Sequence, residues 1–560
     1  MWPTKAYVNG EWCDAKSGKT FDVVNPATGK TIATVPDLDA SDVQVAINAA
    51  NDAFNTWKKT TAKERSDLLR NWYNILVENK DYLADIVTSE AGKPLAESLG
   101  EVAYGNSFVE WFSEEARRTY GEHVPSPNKT KEILMIRQPL GPVGLITPWN
   151  FPIAMITRKA GAALAAGCTC VIKPAENTPI TALILAKFAE DAGIPKGVIN
   201  IVTTSRENTP EIGKLLCESP DIYGISFTGS TEVGKLLYKQ CSSTVKRVGL
   251  ELGGNAPFIV FNEADIDKAV AGAMASKFRN CGQTCVSANR FIIQKNVFTE
   301  FVDKLKVEMD KLVMGDGKTC GVNLGPLINF AQADKVDRIV NDAKNKGAKI
   351  ITGGKRALSI GERFYEPTLI TNVTKDMACY VEEIFGPVAV CIEFDTEQEG
   401  LEIANSTNRG LAGYFYSNDL SQVWRVAKAL EVGMVGVNEG IISATEAAFG
   451  GVKESGLGRE GSRHEFEETL INDYLALTST EKINFLEDDE LLKQILEFEE
   501  SVKNDKTVPI STQKINLLED DELSYQNLEP EKLPDIYIGE DLSTKKYFES
   551  MSTKNNTPLR

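Results

Sequence analysis

Histidine is nearly absent: His123 and His464 are the only two in a chain of 560 residues. Two separated imidazoles cannot build a His-rich metal site, and neither lies near a candidate nucleophile in sequence, which argues against serine–histidine or cysteine–histidine catalysis. Positive charge is also short, with 61 Lys and Arg against 79 Asp and Glu and a formal net charge of -18. A nucleic-acid surface needs a basic field, so no nucleic-acid partner is expected. Long apolar runs are missing as well: AGAALAAG at 160–167 stops far short of the roughly 18–20 residues that a bilayer span requires. The N-terminus, MWPTKAYVNGEW, has neither the apolar core of a secretory signal nor the Arg- and Ser-rich character of a transit peptide. A cytoplasmic location is therefore expected, or the mitochondrial matrix if a presequence has been removed. The ten cysteines are scattered rather than set at framework spacings, as suits a reducing compartment with mostly free thiols.

What is present is an alternation of short apolar runs and helical stretches. Between about 140 and 262 the runs LGPVGLITP, CTCVIKP, GVINIVT, YGISFTGS and VKRVGLELGG alternate with helical segments such as ITALILAKFAEDAG. Such alternation implies crossover connections and a parallel sheet with helices on both faces. A second alternating stretch begins at APFIVF, passes through a helix at 264–280 and ends near VGMVGVNEG, 432–440. Two α/β domains follow. Residues 479–560 differ in kind, carrying 19 acidic and 10 basic residues and so half of the chain's net charge. They also repeat: STEKINFLEDDEL at 479–491 returns as STQKINLLEDDEL at 511–523. Two copies are too few for a self-stabilising array, so the segment reads as an appended acidic tail.

Three segments carry chemistry. In FRNCGQTCVSANR, 278–290, Cys285 lies in a small, polar, glycine-containing turn after a helix. Most free cysteines are small buried hydrophobes, but a thiol in an exposed, dipolar setting becomes a nucleophile. In LELGGNAP, 250–257, Glu251 ends an apolar strand before paired glycines, where apolar surroundings raise a carboxyl pKa toward that of a general base. In PWNFP, 148–152, Asn150 stands between two prolines that restrict the backbone, and its amide could donate to a developing oxyanion.

These segments, with FTGSTEVG (227–234), EEIFGPV (382–388) and FGGVKESGLGREG (449–461), resemble the aldehyde dehydrogenase superfamily over about 1–478. The likeness is greatest to the succinate-semialdehyde branch. The resemblance implies an α/β fold with a Rossmann-type NAD-binding domain at 1–121 and 143–252, and a catalytic domain at 253–440. It further implies a small oligomerisation element at 122–142 and 464–478, and a return to the NAD-binding domain at 441–463. Cys285 would be the nucleophile, Glu251 the base, and Asn150 with the Cys285 N–H the oxyanion hole. The cofactor would be NAD, met by Thr147, Trp149, Lys173, Glu176, Gly229, Ser230, Glu383 and Phe385. A carboxylate at Glu176 would accept both ribose hydroxyls and repel a 2′-phosphate; alternatively it only caps the helix after it. No metal is implied.

Within this resemblance Arg158 and Arg279 face the aldehyde entrance, and Ser443 matches the residue that adds a hydroxyl contact. An arginine beside an apolar tunnel needs an anion, and its planar fork grips carboxylates. The substrate would then be succinate semialdehyde, oxidised to succinate, or a broader set that includes glutarate semialdehyde. The alternative is that both arginines pair with nearby glutamates. A homo-tetramer or dimer is implied, although HEFEETLI, inserted before NDYLAL, departs from the family at the oligomer edge. Ser287 occupies the position where some relatives carry a second cysteine, leaving only a conditional link between Cys281 and Cys285. A tail joining INFL or INLL to EDDEL suits a basic protein partner, in which case the enzyme would be cargo on a scaffold, or it is simply a solvated appendage. Truncation after Thr478 should leave the aldehyde oxidation rate unchanged in a coupled absorbance assay, and a large loss would make the tail part of the catalytic fold.

Overall fold

The computed structural model describes residues 2–468 and 470–478, and the acidic repeat lies outside them. The first sheet has at its centre five parallel strands in the spatial order Ile199–Ile201, Cys170–Lys173, Val143–Ile146, Gly224–Thr228 and Arg247–Glu251. VGLI and CVIK are buried at every position, the continuous apolar pattern of strands covered by helices on both faces. The sheet is mixed at its edges. Ala6–Val8 adds antiparallel to Ile199–Ile201, Glu11–Cys13 extends it, and Gly456–Leu457 closes the other side against Arg247–Glu251.

Chain order reverses between Val143–Ile146 and Gly224–Thr228, which are adjacent and parallel. In open α/β sheets the crevice beyond the carboxyl ends at such a switch point is where ligands bind. Here those ends lead into Thr147–Asn150 and Gly229–Ser230, with Glu251 beside Thr228 in register.

The helix Ala154–Ala166 sits directly behind this crevice, and all thirteen of its residues are buried. Its small residues allow close approach to the helix Leu95–Glu115: a Cβ on Gly105 would lie 2.5 Å from Ile153 Cγ2, and one on Gly161 2.9 Å from the Phe112 ring. Two consecutive cations, Arg158 and Lys159, are carried into this wholly buried helix.

The second sheet has seven strands in the order Lys349–Thr352, Thr368–Thr371, Val388–Phe394, Ala288–Gln294, Ala256–Val260, Ala412–Tyr416 and Met434–Val437. All its pairings are parallel except the first. Phe258 centres its core, with the rings of Phe291 and Tyr416 both 5.1 Å away. A separate three-stranded antiparallel sheet pairs Leu470–Thr478 with Lys131–Pro139 over nine residues, and Glu122–Val124 lies on the far side of Lys131–Pro139. HEFEETLI falls on the helix Ser462–Glu468 and the start of that strand, which keeps its pairing with Lys131–Pro139 within the chain. Among the described residues no helix is long and apolar enough to cross a membrane, and no cluster of side chains could hold a metal ion.

Candidate active site

The nucleophile turn is held in an unusual backbone conformation. After the helix Ile266–Phe278, Asn280 (φ 51°) and Cys281 (φ 56°) are both left-handed. Asparagine tolerates this region, whereas a cysteine adopts it at a cost of about 1–2 kcal/mol. The surroundings fix the turn. The Asn280 N–H donates to Glu97 Oε2 (2.9 Å), and Asn280 Nδ2 donates to the carbonyls of Asn150 and Gln283 (both 3.0 Å). Gln283 in turn accepts from the Ile328 N–H at 2.9 Å. Gly254 leaves room for the nucleophile's own backbone, since a Cβ there would lie 2.6 Å from the Cys285 carbonyl oxygen. Cys285 is thereby presented with 9% exposure. All ten cysteines are free thiols, so Cys281 and Cys285 are not linked.

Glu251 and Asn150 converge on the same place. Burial, and then the neighbouring Glu251 carboxylate, push the Cys285 thiol well above its ordinary value, so it needs a base to become a nucleophile. Glu251 Oε2 accepts from Arg158 Nη2 (2.7 Å) and the Thr228 hydroxyl (3.1 Å), while Oε1 has no hydrogen-bond partner. Asn150 Nδ2 spends one hydrogen on the Gln283 carbonyl at 3.2 Å and keeps a second for a ligand.

Behind Glu251 lies a charge network that the motifs did not disclose. Arg158 Nε donates to Glu460 Oε2 at 2.6 Å, and Lys159 Nζ donates to Glu460 Oε1. Arg158, Lys159 and Glu251 are each at most 1% exposed. Against the push of burial, Lys159 and Arg158 hold the Glu460 carboxyl below its ordinary value. Arg158 matches the alternative of pairing with glutamates for two of its three nitrogens, while Nη1 is buried without a partner of good geometry.

The cofactor side is a cleft of about 190 Å³ lined by Trp149, Asn150, Gly229, Ser230, Cys285, Glu383 and Phe385 among others. Trp149 and Phe385 meet edge to face at 5.6 Å. Ser230 caps the helix Thr231–Cys241, accepting from the Val233 N–H at 3.3 Å, so its hydroxyl hydrogen and the helix N-terminus remain available to a phosphate. Glu383 Oε1 accepts from the Gly254 N–H at 3.0 Å, and a Cβ on Gly253 would come within 2.8 Å of Glu383 Oε2. Thr147 Oγ1 is buried without a partner. A cleft lined by Gly229 and Gly253 at a helix N-terminus, with the Glu383 carboxylate on its wall, fits a nicotinamide dinucleotide. Gln332 and Lys335 line it too and were not anticipated. Lys173 is buried, donating to the Pro174 carbonyl at 2.9 Å, and burial lowers its ammonium to about 8. Glu176 does not cap the next helix: the Ile180 and Thr181 N–H groups donate to Glu90 at 2.9 and 2.8 Å.

Beyond Asn150, a second cavity of about 200 Å³ is lined by Arg279, Ser443, Tyr104, Phe151, Glu97 and Lys93, among others. Arg279 lies over the Phe151 ring at 5.4 Å, near enough to Glu97 to act on its carboxyl but in no salt bridge among the described residues. Lys93 is satisfied by Glu101 and by the Asn150 carbonyl at 2.7 Å. Burial pushes the Glu97 carboxyl up to about 7, which reduces the negative charge facing Arg279.

The family model described as the aldehyde dehydrogenase family matches residues 12–472. The mitochondrial succinate-semialdehyde dehydrogenase of Homo sapiens is 54% identical over 473 residues, covering 84% of this chain and 88% of that one. The succinate-semialdehyde dehydrogenase (NADP(+)) of Escherichia coli is 50% identical, covering 85% of this chain and 98% of its own. The crystal structure of succinate-semialdehyde dehydrogenase from Burkholderia pseudomallei superposes with a TM-score of 0.84 at 50% identity, covering 85% of this chain and 98% of that one.

The charge network makes a stability prediction. Glu460→Gln leaves Lys159 without its ion pair and Arg158 with Glu251 alone, and unpairing buried charge in this way costs about 3–5 kcal/mol. The urea midpoint should fall sharply and largely recover when Lys159→Gln is added; an unchanged midpoint in the single variant would remove the network from the stability of the fold.

Proposed function

The chain belongs to the aldehyde dehydrogenase family, and from that premise we propose that it oxidises succinate semialdehyde to succinate with NAD and water. The observation that carries the substrate is Arg279: a cation without an ion-pair partner among the described residues, sharing with Ser443 a small cavity beside the nucleophile turn. Two relatives at 50–54% identity bear the name succinate-semialdehyde dehydrogenase, the Escherichia coli one with NADP(+) as its named cofactor. A guanidinium left unpaired in a protein cavity favours an anionic ligand, and here the free end of a short ω-carboxy aldehyde completes it.

Glu251 Oε1 takes the Cys285 proton, and the sulfur adds to the aldehyde carbon to form a thiohemiacetal. The free hydrogen on Asn150 Nδ2 and the Cys285 N–H steady the oxyanion. A nicotinamide dinucleotide in the cleft supplies the two-electron acceptor for this chemistry. Its ribose and phosphate contacts fall to Glu383, Ser230 and Gly229, with Lys173 and Glu176 at the adenosine end, Thr147 nearby, and Phe385 and Trp149 at the nicotinamide. Once Glu251 has released the thiol's proton to solvent, it deprotonates the water that hydrolyses the Cys285 thioester, with Arg158 and Thr228 holding Oε2 so that Oε1 stays free on the Cys285 side. Glu176, freed from capping, favours NAD over NADP by repelling a 2′-phosphate. The three-stranded sheet built from 122–142 and 464–478 serves as the oligomerisation element of a homo-tetramer or dimer.

Cys285→Ala should abolish oxidation while NAD still quenches tryptophan fluorescence, and Glu251→Gln should keep a burst of NADH and then stall; unchanged steady-state turnover in either variant removes that residue from its role. Across a panel of succinate semialdehyde, glutarate semialdehyde and butanal, the four-carbon semialdehyde should give the highest kcat/KM, with NAD preferred over NADP. Arg279→Ala should weaken the semialdehyde selectively by about 1.5–3 kcal/mol, the worth of a hydrogen bond to a charged group. Equal losses on charged and neutral aldehydes would assign the arginine to the fold instead.

A further inference from the structure

The cavity that holds Arg279 contains a donor with nothing to donate to. Tyr104, on the helix Leu95–Glu115, lines this cavity with Arg279, Phe151 and Ser443. Its hydroxyl is buried and donates no hydrogen bond. Packing fixes the ring: Phe108 meets it edge to face at 4.9 Å, and it lies against the small apolar cluster of Phe151, Ala154 and Met155. Arg158 lies behind it, its guanidinium close enough to act on the phenol oxygen both by charge and by a side-chain hydrogen bond, which leaves the phenol hydrogen still without an acceptor. Nearly all buried polar groups are satisfied in native structures, so a buried phenol hydroxyl with no acceptor at the wall of this cavity points to an acceptor that binds there.

Resting on the carboxy-aldehyde reading of this site, we propose that Tyr104 is a specificity-determining residue whose hydroxyl donates to the distal carboxylate of the substrate while Arg279 and Ser443 hold its other side. The acceptor must be an anion rather than a neutral carbonyl, because only a carboxylate offers enough lone pairs to satisfy Tyr104, Arg279 and Ser443 together. Burial pushes the phenol above its ordinary value even against the pull of Arg158 and Arg279, so it keeps the proton it donates. Because the contact lies at the far end of the substrate from the reacting carbon, it acts equally on the bound substrate and the transition state. Its loss therefore belongs in KM rather than in kcat.

The test compares succinate semialdehyde with butanal, which has the same four carbons and no carboxylate, in the full chain and in Tyr104→Phe. The variant keeps the ring and its packing and removes only the hydroxyl. The expected result is a fall of about tenfold or more in the ratio of kcat/KM for the semialdehyde to that for butanal, arising from a rise in the semialdehyde KM. An undiminished ratio overturns the proposal and leaves a bound water as the hydroxyl's partner. Equal losses on both aldehydes also overturn it, since they mean that the ring supports the fold. If the unaltered chain itself shows no preference for the semialdehyde, the carboxy-aldehyde reading fails first, and that outcome is recognisable without the variant.

Discussion

Glu251 has two neighbours of opposite kind, and the site depends on their balance. On one side Arg158 Nη2, 2.7 Å away, holds Oε2; on the other, Oε1 is left without a hydrogen-bond partner beside the Cys285 thiol. A carboxylate stripped of water is stable only when paired, yet a fully paired carboxylate is a poor base. The arrangement resolves this by sharing one guanidinium between two glutamates, since Arg158 also donates to Glu460 at 2.6 Å. Lys159 supplies the remaining positive charge to Glu460. Two cations and two carboxylates are thus buried as one group rather than as separate pairs. The helix Ala154–Ala166 can be wholly enclosed only because this group neutralises the charges that it carries.

Enclosing that helix has consequences on both sides of Asn150. Its N-terminal end leads back to PWNFP, and the Ile153 N–H, left over at the start of the helix, is taken by Glu101 Oε1 at 2.9 Å. Glu101 is in turn paired with Lys93, whose ammonium also reaches the Asn150 carbonyl. The Asn150 backbone is therefore pinned by a cation on one side and by the Asn280 amide on the other. This fixes the amide that faces the cleft, and it couples the first sheet to the left-handed turn of the second. The strain in Asn280 and Cys281 is contained by the same hydrogen bonds that orient the Asn150 amide, so positioning and strain relief are one network.

Short-range motifs were legible because their chemistry is local. Glu251 at the end of a strand before paired glycines, Cys285 in a polar turn and Ser230 at a helix start are each defined by residues within a few positions. The parallel core of the first sheet could be read from alternating apolar runs. Its antiparallel edges could not, because Ala6–Val8 and Gly456–Leu457 are too short to carry a pattern and join the sheet only through distant partners. Arg158 shows the limit most clearly. A cation in an apolar helix demanded an anion, but whether that anion was a substrate or a glutamate depended on Glu460, 302 positions away.

The sequence by itself determined the alternating α/β organisation and the need for anions around Arg158 and Arg279, and its several motifs, taken together as a family resemblance, pointed to Cys285, Glu251 and Asn150 as candidate reacting groups. Tertiary structure alone decided how those charges are allotted. It gave two of Arg158's three nitrogens to Glu251 and Glu460 and left Arg279 without an ion pair among the described residues. It released Glu176 from the helix that Glu90 caps and brought Tyr104 to the same cavity as Arg279 and Ser443. The physical reason is that a charge is satisfied by whatever opposite charge or acceptor lies nearest in space, and nearness across hundreds of residues is a property of the packed fold.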